Sequence, residues 1–418
     1  MTSSLRSLLK KIVRRGTLQI IGADGRSEVF GDGSGDMIVL RFTDAEAEAQ
    51  LHADPQLKLA ELYMDGRMVV EAGDIYQLLA LLKSNTLSED LTFGMIWRGL
   101  VRYAASELRR LLPVNHNRRN VAHHYDLSAK LFALFLDADW QYSCAYFSPQ
   151  GISLDEAQAA KKRHIAAKLL LAEGQRVLEI GSGWGGMAMY LAESTDVSVD
   201  GITLSTEQLR ISRGRAEKRG LSGRVRFELQ DYRTLKAAPY DRIVSVGMFE
   251  HVGRGNYRTF FTKVAELLKD DGVMVLHSIG QPFPSRFNNP FIERYIFPGG
   301  YIPSLAEVLP AVEKAGLLVR DIEILPHHYA RTLRLWRERF LARREEAAAL
   351  YDERFVRMWE FYLAGSEMAF THENFFIFQM QLAKSNDAVP DNRSYIAERE
   401  RTLAAFERGQ APLEKVVF

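Results

Sequence analysis

The chain has 418 residues, of which 47% are hydrophobic and 26% charged, and its formal net charge at pH 7 is +1. This length is typical of two or three domains, or of one large domain with an extension. The near-neutral charge argues against a nucleic-acid partner. The single cysteine, Cys144, cannot form an intrachain disulfide, fits a reducing compartment and does not indicate a metal site. With neither a membrane-spanning apolar run nor a signal peptide, the sequence predicts a cytoplasmic globular protein.

The N-terminal segment MTSSLRSLLKKIVRRG contains basic but no acidic side chains. Its leucine, isoleucine and valine residues recur at helical spacing, which predicts an amphipathic helix with one apolar and one basic face. Two interpretations remain open. In the first, the helix lies in an anionic membrane surface, where each basic residue contributes about 1 kcal/mol. In the second, its apolar face packs against its own domain.

The next segments predict a small domain of mixed secondary structure. Residues 17–43 predict short strands separated by the turns ADGR and GDGSGD. Residues 44–112 predict helices, most clearly in DIYQLLALLKS and FGMIWRGLVRYAASELRRLL. We therefore predict an N-terminal α+β or largely helical domain over 1–112. The polar segment that begins PVNHNRRN predicts a linker over 113–122, followed by a catalytic domain over 123–418.

From about residue 175 onward, strand and helix patterns alternate. The strand patterns are RVLEIG, VSVDGIT, VRFELQD, DRIVSVGM and GVMVLHSIG, and the helical ones are GMAMYLAES, TEQLRISRGRAEKRG and NYRTFFTKVAELLKD. This alternation predicts an α/β fold with a mostly parallel sheet, right-handed crossovers and helices on both faces. Ligands of such sheets bind at the carboxyl ends of the strands, so functional residues are expected directly after strands.

A glycine-rich loop, EIGSGWGG, follows the first of these strands and opens a helix. Its glycines and its aromatic residue are Gly181, Gly183, Trp184, Gly185 and Gly186. Three of the glycines satisfy the G-x-G-x-x-G pattern of dinucleotide sites, which is a weak signal by itself. Glu179, two residues before the first glycine, favours a cationic ligand over a pyrophosphate. The loop therefore suits a zwitterionic or cationic nucleoside.

An acid followed by such a loop resembles the S-adenosylmethionine-dependent methyltransferases. The resemblance implies that Glu179 meets the methionine ammonium of the cofactor and that the glycines allow the backbone to approach it. It assigns further cofactor contacts to residues after the second and third strands: Thr203, Leu204, Gln208, Gln230 and Asp231. A structural alternative stays open, in which Thr203 and Ser205 cap the next helix and Asp231 ends a strand.

Six further segments occur in the order seen in the cyclopropane fatty-acid synthase family, which includes the mycolic acid methyltransferases. They are HHYDLS (123–128), QYSCAYF (141–147), SVGMFEHVG (245–253), LHSIG (276–280), ERYIFPGGYIPS (293–304) and HYARTLRLWRERF (328–340). The chain resembles this family from about 115 to 385. The resemblance implies a Rossmann-like class I methyltransferase domain that binds S-adenosylmethionine and a bicarbonate ion.

The family also implies roles for individual residues. Tyr142 and Ser143 would touch the cofactor. A bicarbonate site is assigned to five residues: Cys144, Glu250, His277, Tyr329 and, through its backbone, Ile279. Each of the five also has an ordinary structural explanation, such as core packing. Nearby aromatic residues either belong to the core or shield a cation from water: Tyr146, Phe147, Phe249 and Tyr295.

The activity implied by the family is the transfer of a methylene or methyl group to the cis double bond of an unsaturated phospholipid acyl chain. Methyl addition leaves a carbocation, and loss of a proton from the new methyl closes a cyclopropane ring. Alignment of the reactants can supply about 7–11 kcal/mol, and an oriented bicarbonate can accept the proton. Loss of a different proton would give a methyl-branched or exomethylene chain.

Two positions depart from the family pattern. Ser182 replaces the cysteine of the family's G-C-G loop, and Ser366 replaces a second family cysteine, which excludes a mechanism that needs a thiol there. In family members an N-terminal domain helps to engage phospholipid and supports dimerisation. The resemblance therefore implies a peripheral position at the inner face of the cytoplasmic membrane and allows a homodimer.

Two other functions remain open. A nicotinamide-dependent oxidoreductase would use the G-x-G-x-x-G loop, with Asp200 close to the position of a ribose-binding acid. This hypothesis leaves four side chains unexplained: Cys144, Glu250, His277 and Tyr329. A non-catalytic lipid-binding protein could retain the fold, but the intact set of site residues argues against it.

Overall fold

A computed structural model describes residues 1–85, 127–285 and 289–409. The α-helices, in chain order, are α1 (Ser3–Ile12), α2 (Ala45–Ala53), α3 (Pro55–Met64), α4 (Ile75–Asn85), α5 (Ala129–Phe132), α6 (Leu154–Leu169), α7 (Gly186–Ser194), α8 (Thr206–Lys218), α9 (Tyr257–Leu267), α10 (Leu305–Lys314), α11 (His328–Ala342), α12 (Arg344–Leu350), α13 (Glu353–His372) and α14 (Ser394–Glu407). The strands are β1 (Thr17–Ile21), β2 (Ser27–Gly31), β3 (Met37–Phe42), β4 (Met68–Ala72), β5 (Arg176–Ile180), β6 (Ser198–Thr203), β7 (Val225–Leu229), β8 (Tyr240–Val246), β9 (Leu268–Gly280), β10 (Leu318–Leu325) and β11 (Phe376–Ala383).

The described residues form two compact units, each assembled from separate stretches of the chain. The first unit contains 1–85, 285, 289–298 and Leu333–Asn374, and the second contains 127–284, Gly299–Thr332 and 375–409. Leu333–Asn374 lies within the predicted catalytic domain, 123–418, and packs with N-terminal residues in the first unit. The predicted linker, the helical pattern before it and most of the HHYDLS motif lie outside the described residues.

The first unit contains a four-stranded sheet in the order β2-β1-β3-β4. Strand β1 pairs antiparallel with β2 and parallel with β3, and β3 pairs antiparallel with β4. The strands predicted over 17–43 are confirmed. Strand β4 lies where only helices were predicted, because five residues of alternating burial are too short to stand out from the flanking helical patterns.

Helix α1 packs its apolar face within the first unit. The buried residues of this face are Leu5, Leu9 and Val13. The exposed basic residues, here called the basic face, are Arg6, Lys10 and Lys11 on the helix and Arg14 and Arg15 directly after it. Of the two interpretations, packing against its own domain thus accounts for the buried apolar residues, while the basic side chains remain exposed. Among the described helices, none combines the length and apolarity that crossing a bilayer requires.

Helix α13 explains why the first unit draws on distant sequence. It is a 20-residue helix that packs against α3 and α4. Val356, Trp359 and Leu363 recur every three or four residues and are buried, so they form one apolar face. The Tyr63 hydroxyl donates a hydrogen bond of 2.9 Å to Glu360 and ties α3 to this helix. The apolar face needs a partner, and α3 and α4 provide it.

The second unit is built on a seven-stranded sheet in the order β10-β11-β9-β8-β5-β6-β7. The strands from β5 to β9 pair in parallel, and β11 lies antiparallel between β9 and β10. Val273 and Val275 belong to one apolar cluster, and Met274 and Leu276 belong to another. Because side chains alternate along a strand, the two clusters cover opposite faces. The predicted Rossmann-like fold with a mostly parallel sheet is confirmed.

Candidate active site

A cavity open to solvent lies at the carboxyl ends of β5, β6, β7 and β8, and its empty space, including part of the open mouth, is about 1140 Å³. Eleven of the twelve residues predicted to bind the cofactor line it: Tyr142, Ser143, Glu179, Gly181, Gly183, Trp184, Thr203, Leu204, Gln208, Gln230 and Asp231. This edge of a parallel sheet is where ligands bind. The cavity is large enough for a nucleoside-sized molecule.

The glycines of the loop have different roles. Gly181 lines the cavity with a φ of +85°, and a Cβ there would lie 2.7 Å from the Cβ of Met248. Gly185 is not among the lining residues. It precedes α7 with a φ of 82°, and a Cβ there would lie 2.6 Å from the ring of Phe227 on β7. Gly185 therefore allows close helix–strand packing rather than ligand contact.

Glu179 lies buried at the end of β5 and faces the cavity. Its Oε2 accepts a hydrogen bond of 3.1 Å from the backbone N–H of Ala188 in the first turn of α7. Burial raises the pKa of Glu179 to about 8, although this hydrogen bond opposes the shift. At neutral pH the carboxyl therefore holds a proton that a cationic ligand can replace.

The wall formed by β6 and β7 combines structural and lining roles. The hydroxyl of Thr203 donates to Oε1 of Gln208 at 2.9 Å, and Ser205 caps α8 by accepting from the Gln208 amide. Asp231 accepts from the amide of Arg233 at 2.9 Å and caps a short 3-10 turn. Ser205 thus has the helix-capping role of the structural alternative and is not a lining residue of the cavity. Thr203, Gln208 and Asp231 make structural hydrogen bonds and also face the cavity.

Further lining residues were not among the predicted cofactor contacts, although Ser182 and Gly186 belong to the predicted loop: Trp140, Gln141, Ile180, Ser182, Gly186, Met187, Ile202, Tyr232, Arg233, Val246, Gly247, Met248, His251 and Val252. Many are sequence neighbours of predicted residues, so proximity to a strand end was the available signal. Lys161 on α6 supports one wall from behind, and no sequence pattern marked it. Its Nζ donates to Gln141 Oε1 at 2.5 Å and to Ser143 Oγ at 2.8 Å.

Glu250 and Ile279, two of the predicted anion ligands, are in direct contact. The backbone N–H of Ile279 donates to Glu250 Oε1 at 2.7 Å. The other carboxyl oxygen, Oε2, is buried and has no hydrogen-bond partner within the described ranges. Burial raises the pKa of Glu250, which favours a protonated carboxyl that can donate a hydrogen bond.

His277 lies two residues before Ile279 on β9. Its Nδ1 is 3.2 Å from the side-chain nitrogen of Gln379 on β11. Its Nε2 is buried and, among the described residues, has no hydrogen-bond partner. Burial holds the pKa of His277 well below its ordinary value, so the ring is neutral. Buried polar atoms without partners are rare in folded proteins, and His277 Nε2 and Glu250 Oε2 are two that a small ligand could satisfy.

Cys144 is buried and donates its thiol hydrogen to the carbonyl of Ala145, with Sγ at 3.2 Å from the oxygen. Burial raises the pKa of the thiol, so it is neutral and suited to hydrogen bonding rather than to nucleophilic attack. The Ala145 amide donates to Thr332 on α11 at 3.1 Å. Tyr329 lies half-buried in the first turn of that helix. No hydrogen bond between Cys144 and the other predicted anion ligands is found in the described part of the chain.

Other residues singled out in the sequence have structural roles. Phe249 packs in the core against Phe260 and Phe261, and Tyr295 belongs to the first unit, where it donates to Glu61 at 2.8 Å. Asp200 accepts from the Tyr240 hydroxyl at 2.9 Å and does not line the cavity. The dinucleotide hypothesis therefore lacks its ribose-binding acid.

Comparison with known proteins agrees with the geometry. A family model described as Mycolic acid cyclopropane synthetase matches residues 114–380. The chain is 39% identical over 330 residues to the cyclopropane-fatty-acyl-phospholipid synthase of Escherichia coli K12, covering 78% of this chain and 83% of that one. It is 40% identical over 267 residues to a probable fatty acid methyltransferase of Pseudomonas putida, covering 61% and 68% of the two chains.

A solved structure of the mycolic acid cyclopropane synthase CmaA1, complexed with SAH and CTAB, is similar in fold. Its TM-score is 0.61 at 36% identity, and the match covers 65% of this chain and 99% of that one. The family match extends over more than half of this chain, and the glycine-rich cavity lies inside the matched region. The chain is therefore an S-adenosylmethionine-dependent methyltransferase that belongs to the mycolic acid cyclopropane synthetase family.

Proposed function

We propose that the protein converts the cis double bond of unsaturated phospholipid acyl chains into a cyclopropane ring, with a bound bicarbonate as the base. The observation that carries the proposal is the pair of buried, unpartnered polar atoms, Glu250 Oε2 and His277 Nε2. The substrate class follows that of the E. coli relative, a cyclopropane-fatty-acyl-phospholipid synthase. Similarity to a probable fatty acid methyltransferase keeps a second product open, a methyl-branched or exomethylene chain.

The residues of the cavity fit S-adenosylmethionine. Glu179 would hold the ammonium, because its buried carboxyl gains a cation in exchange for a proton. Gly181 leaves room for the backbone to approach the ligand, and Gln208 and Asp231 offer polar atoms to its hydroxyl and amino groups. When bound, this cofactor supplies an electrophilic methyl group on a sulfonium.

The second group of residues fits bicarbonate. An anion in a buried pocket needs hydrogen-bond donors, and His277 Nε2 and a protonated Glu250 Oε2 are two of them. An ionised Glu250 would repel the anion, so the raised pKa of this carboxyl matters for binding. The Cys144 thiol becomes a third donor by turning away from the Ala145 carbonyl. The Tyr329 hydroxyl is a further ligand by family resemblance.

The basic face of α1 is our proposed contact with the membrane. Since the apolar face is buried, this contact rests on charge rather than on insertion. Each basic residue near an anionic surface contributes about 1 kcal/mol, and salt screens the attraction. The acyl-chain substrate resides in membranes, so a weak, salt-sensitive contact of this kind would bring enzyme and substrate together.

The decisive experiment combines two readouts. Purified protein is incubated with methyl-labelled S-adenosylmethionine and unsaturated phospholipid vesicles, and the lipid product is identified by mass and NMR. Ring and exomethylene products are isomers, so NMR must distinguish them. We expect cyclopropane signals and a rate that falls when carbonate is removed and recovers when bicarbonate is added. Unlabelled lipid would contradict the methyl transfer, and an unchanged rate without carbonate would contradict bicarbonate as the base.

A further inference from the structure

A chain of buried polar contacts supports His277 from the side opposite to its unpartnered Nε2. We propose that Gln379 and Lys168 are positioning residues that fix His277 as the tautomer with its proton on Nε2. His277 then donates a hydrogen bond to the bound anion and does not act as the base. The inference deepens the proposed function and rests on it for the identity of the anion.

The contact between His277 and Gln379 is set by strand pairing. The two residues stand directly opposite each other in the antiparallel register of β9 and β11. Both are almost fully buried, and Nδ1 of the ring is 3.2 Å from the amide nitrogen. A glutamine side chain can present either its N–H or its oxygen to a histidine. The tautomer therefore depends on which end of the amide faces the ring.

Lys168 on α6 determines the orientation of that amide. Its Nζ lies 3.0 Å from Oε1 of Gln379 and forms an ion pair with Glu323 on β10. An ammonium group has donors and no acceptor, so the atom that faces it must be the amide oxygen. The amide N–H is left to face His277, and it donates to Nδ1. A neutral ring that accepts at Nδ1 carries its proton on Nε2.

Glu323 anchors the ammonium from a second direction. Its carboxylate also lies 2.6 Å from Nε2 of His164, and Arg393 approaches it at 3.8 Å. Asp321 lies 3.8 Å from the Lys168 ammonium. Burial lowers the pKa of Lys168, but the neighbouring carboxylates oppose this shift and favour the charged form. Lysine therefore stays a donor and keeps the amide in one orientation.

This tautomer has a chemical consequence for the reaction. Nε2, the ring nitrogen without a partner among the described residues, bears a hydrogen in this tautomer and has no free lone pair in the plane of the ring, so it cannot remove a proton. The only basic nitrogen, Nδ1, is occupied by the Gln379 amide. Because His277 is thereby restricted to donating, the proton released from the substrate must go to another group, which we identify with the anion.

The tautomer can be read directly from the full-length protein. Ring-¹⁵N-labelled histidine is incorporated, and the His277 resonances are assigned by comparison with a His277→Asn variant. We expect the neutral form with a protonated Nε2 and a hydrogen-bonded, unprotonated Nδ1. A proton on Nδ1, in a neutral or a charged ring, would overturn the inference. The spectrum requires neither substrate nor bicarbonate, so its result is independent of the proposed function.

A pair of matched variants separates positioning from packing. Gln379→Met removes the amide that faces the histidine. Gln381→Met removes an equally buried amide two residues along the same face of β11, where the side chain bonds to the Lys168 carbonyl and to Tyr395. We expect Gln379→Met to lose the single tautomer, to lower kcat at least tenfold and to need more bicarbonate for half-maximal rate. Gln381→Met should keep the tautomer and kcat while losing thermal stability.

The outcomes distinguish the positioning role of Gln379 from the proposal that bicarbonate is the base. Equal losses of kcat in both variants, or an unchanged His277 spectrum in Gln379→Met, would overturn the positioning role. A wild type that keeps its Nε2–H tautomer but shows no dependence on bicarbonate would overturn the proposed base and leave the tautomer assignment intact. Affinity for S-adenosylhomocysteine should change less than twofold in either variant, since neither glutamine lines the cofactor cavity.

Discussion

Replacing Glu179 by glutamine should weaken cofactor binding in a way that depends on pH. Burial raises the pKa of Glu179 to about 8, so its ionised form, which pairs with the ligand's ammonium, is fully available only above this pH. Cofactor affinity is therefore lost as the pH falls below 8. Glutamine keeps the size of the side chain and can still accept from the Ala188 amide, but it has no charge to gain.

The expected magnitude follows from the burial of the carboxyl. A hydrogen bond to a charged group is worth about 1.5–3 kcal/mol, which is about a 10- to 150-fold change in Kd. This difference between wild type and variant should be largest near pH 8. Below that, protonation of Glu179 costs the wild type about tenfold per pH unit, so the two proteins converge near pH 6. At pH 7, binding should release about nine-tenths of a proton.

Isothermal titration calorimetry with S-adenosylhomocysteine measures both the Kd and the number of protons released. The titrations are done from pH 6 to 9 in buffers of different ionisation enthalpy. At still higher pH the affinity should decline again, because the ligand's own α-ammonium group loses its proton. Glu250→Gln is the matched control, since Glu250 is also buried but does not line the cavity. A wild-type affinity that is flat from pH 6 to 8 without proton release would refute the reasoning, as would equal weakening by both substitutions.

Three further predictions concern the anion site, the membrane and the first unit. At saturating cofactor, Cys144→Ala should lower turnover several-fold. Cys144→Ser should lower it less, because a hydroxyl can still donate a hydrogen bond. Full turnover of the alanine variant in bicarbonate-depleted buffer would leave the thiol with a packing role only. Replacing Lys10, Lys11, Arg14 and Arg15 by glutamine should reduce the fraction of protein that sediments with anionic vesicles at low salt. Replacing both lysines by arginine keeps the charge and should not reduce that fraction. Vesicle binding that does not depend on salt would contradict the proposed contact. Trp359→Ala should lower the free energy of unfolding by about 3–5 kcal/mol, measured by chemical denaturation, because Trp359 is fully buried. A loss far below this range would mean that α13 contributes little to the stability of the first unit.

The cofactor cavity was largely predictable because its residues follow the strand ends. A buried strand pattern followed by glycines locates Glu179 and Gly181 within a few positions, and the next strands locate Thr203 and Asp231 in the same way. Gly185 was assigned to the ligand by the same pattern. Only the position of Phe227 shows that Gly185 is needed for the close packing of α7 on β7, because a side chain at Gly185 would collide with the phenylalanine ring.

Contacts between distant segments could not be read from the sequence. Gln379 and His277 are 102 positions apart, and they meet only because β11 pairs with β9. Lys161 and Lys168 follow an ordinary helical pattern, and nothing in that pattern names the groups that they contact. The helical periodicity of α13 likewise shows that this helix needs an apolar partner, but it does not identify α3 and α4 as that partner.

The first unit is assembled from segments that are far apart in the sequence, and this has a consequence for its synthesis on the ribosome. Its residues 1–85 are translated about 270 residues before α13, whose apolar face completes their core. At about 5–20 residues per second, this interval lasts roughly 14–54 s. During that time the nascent chain carries the uncovered surfaces of α3 and α4, which is a window for chaperone binding. A protein released from the ribosome before α13 is made would have the four-stranded sheet, but α3 and α4 would lack the contacts that α13 makes with them.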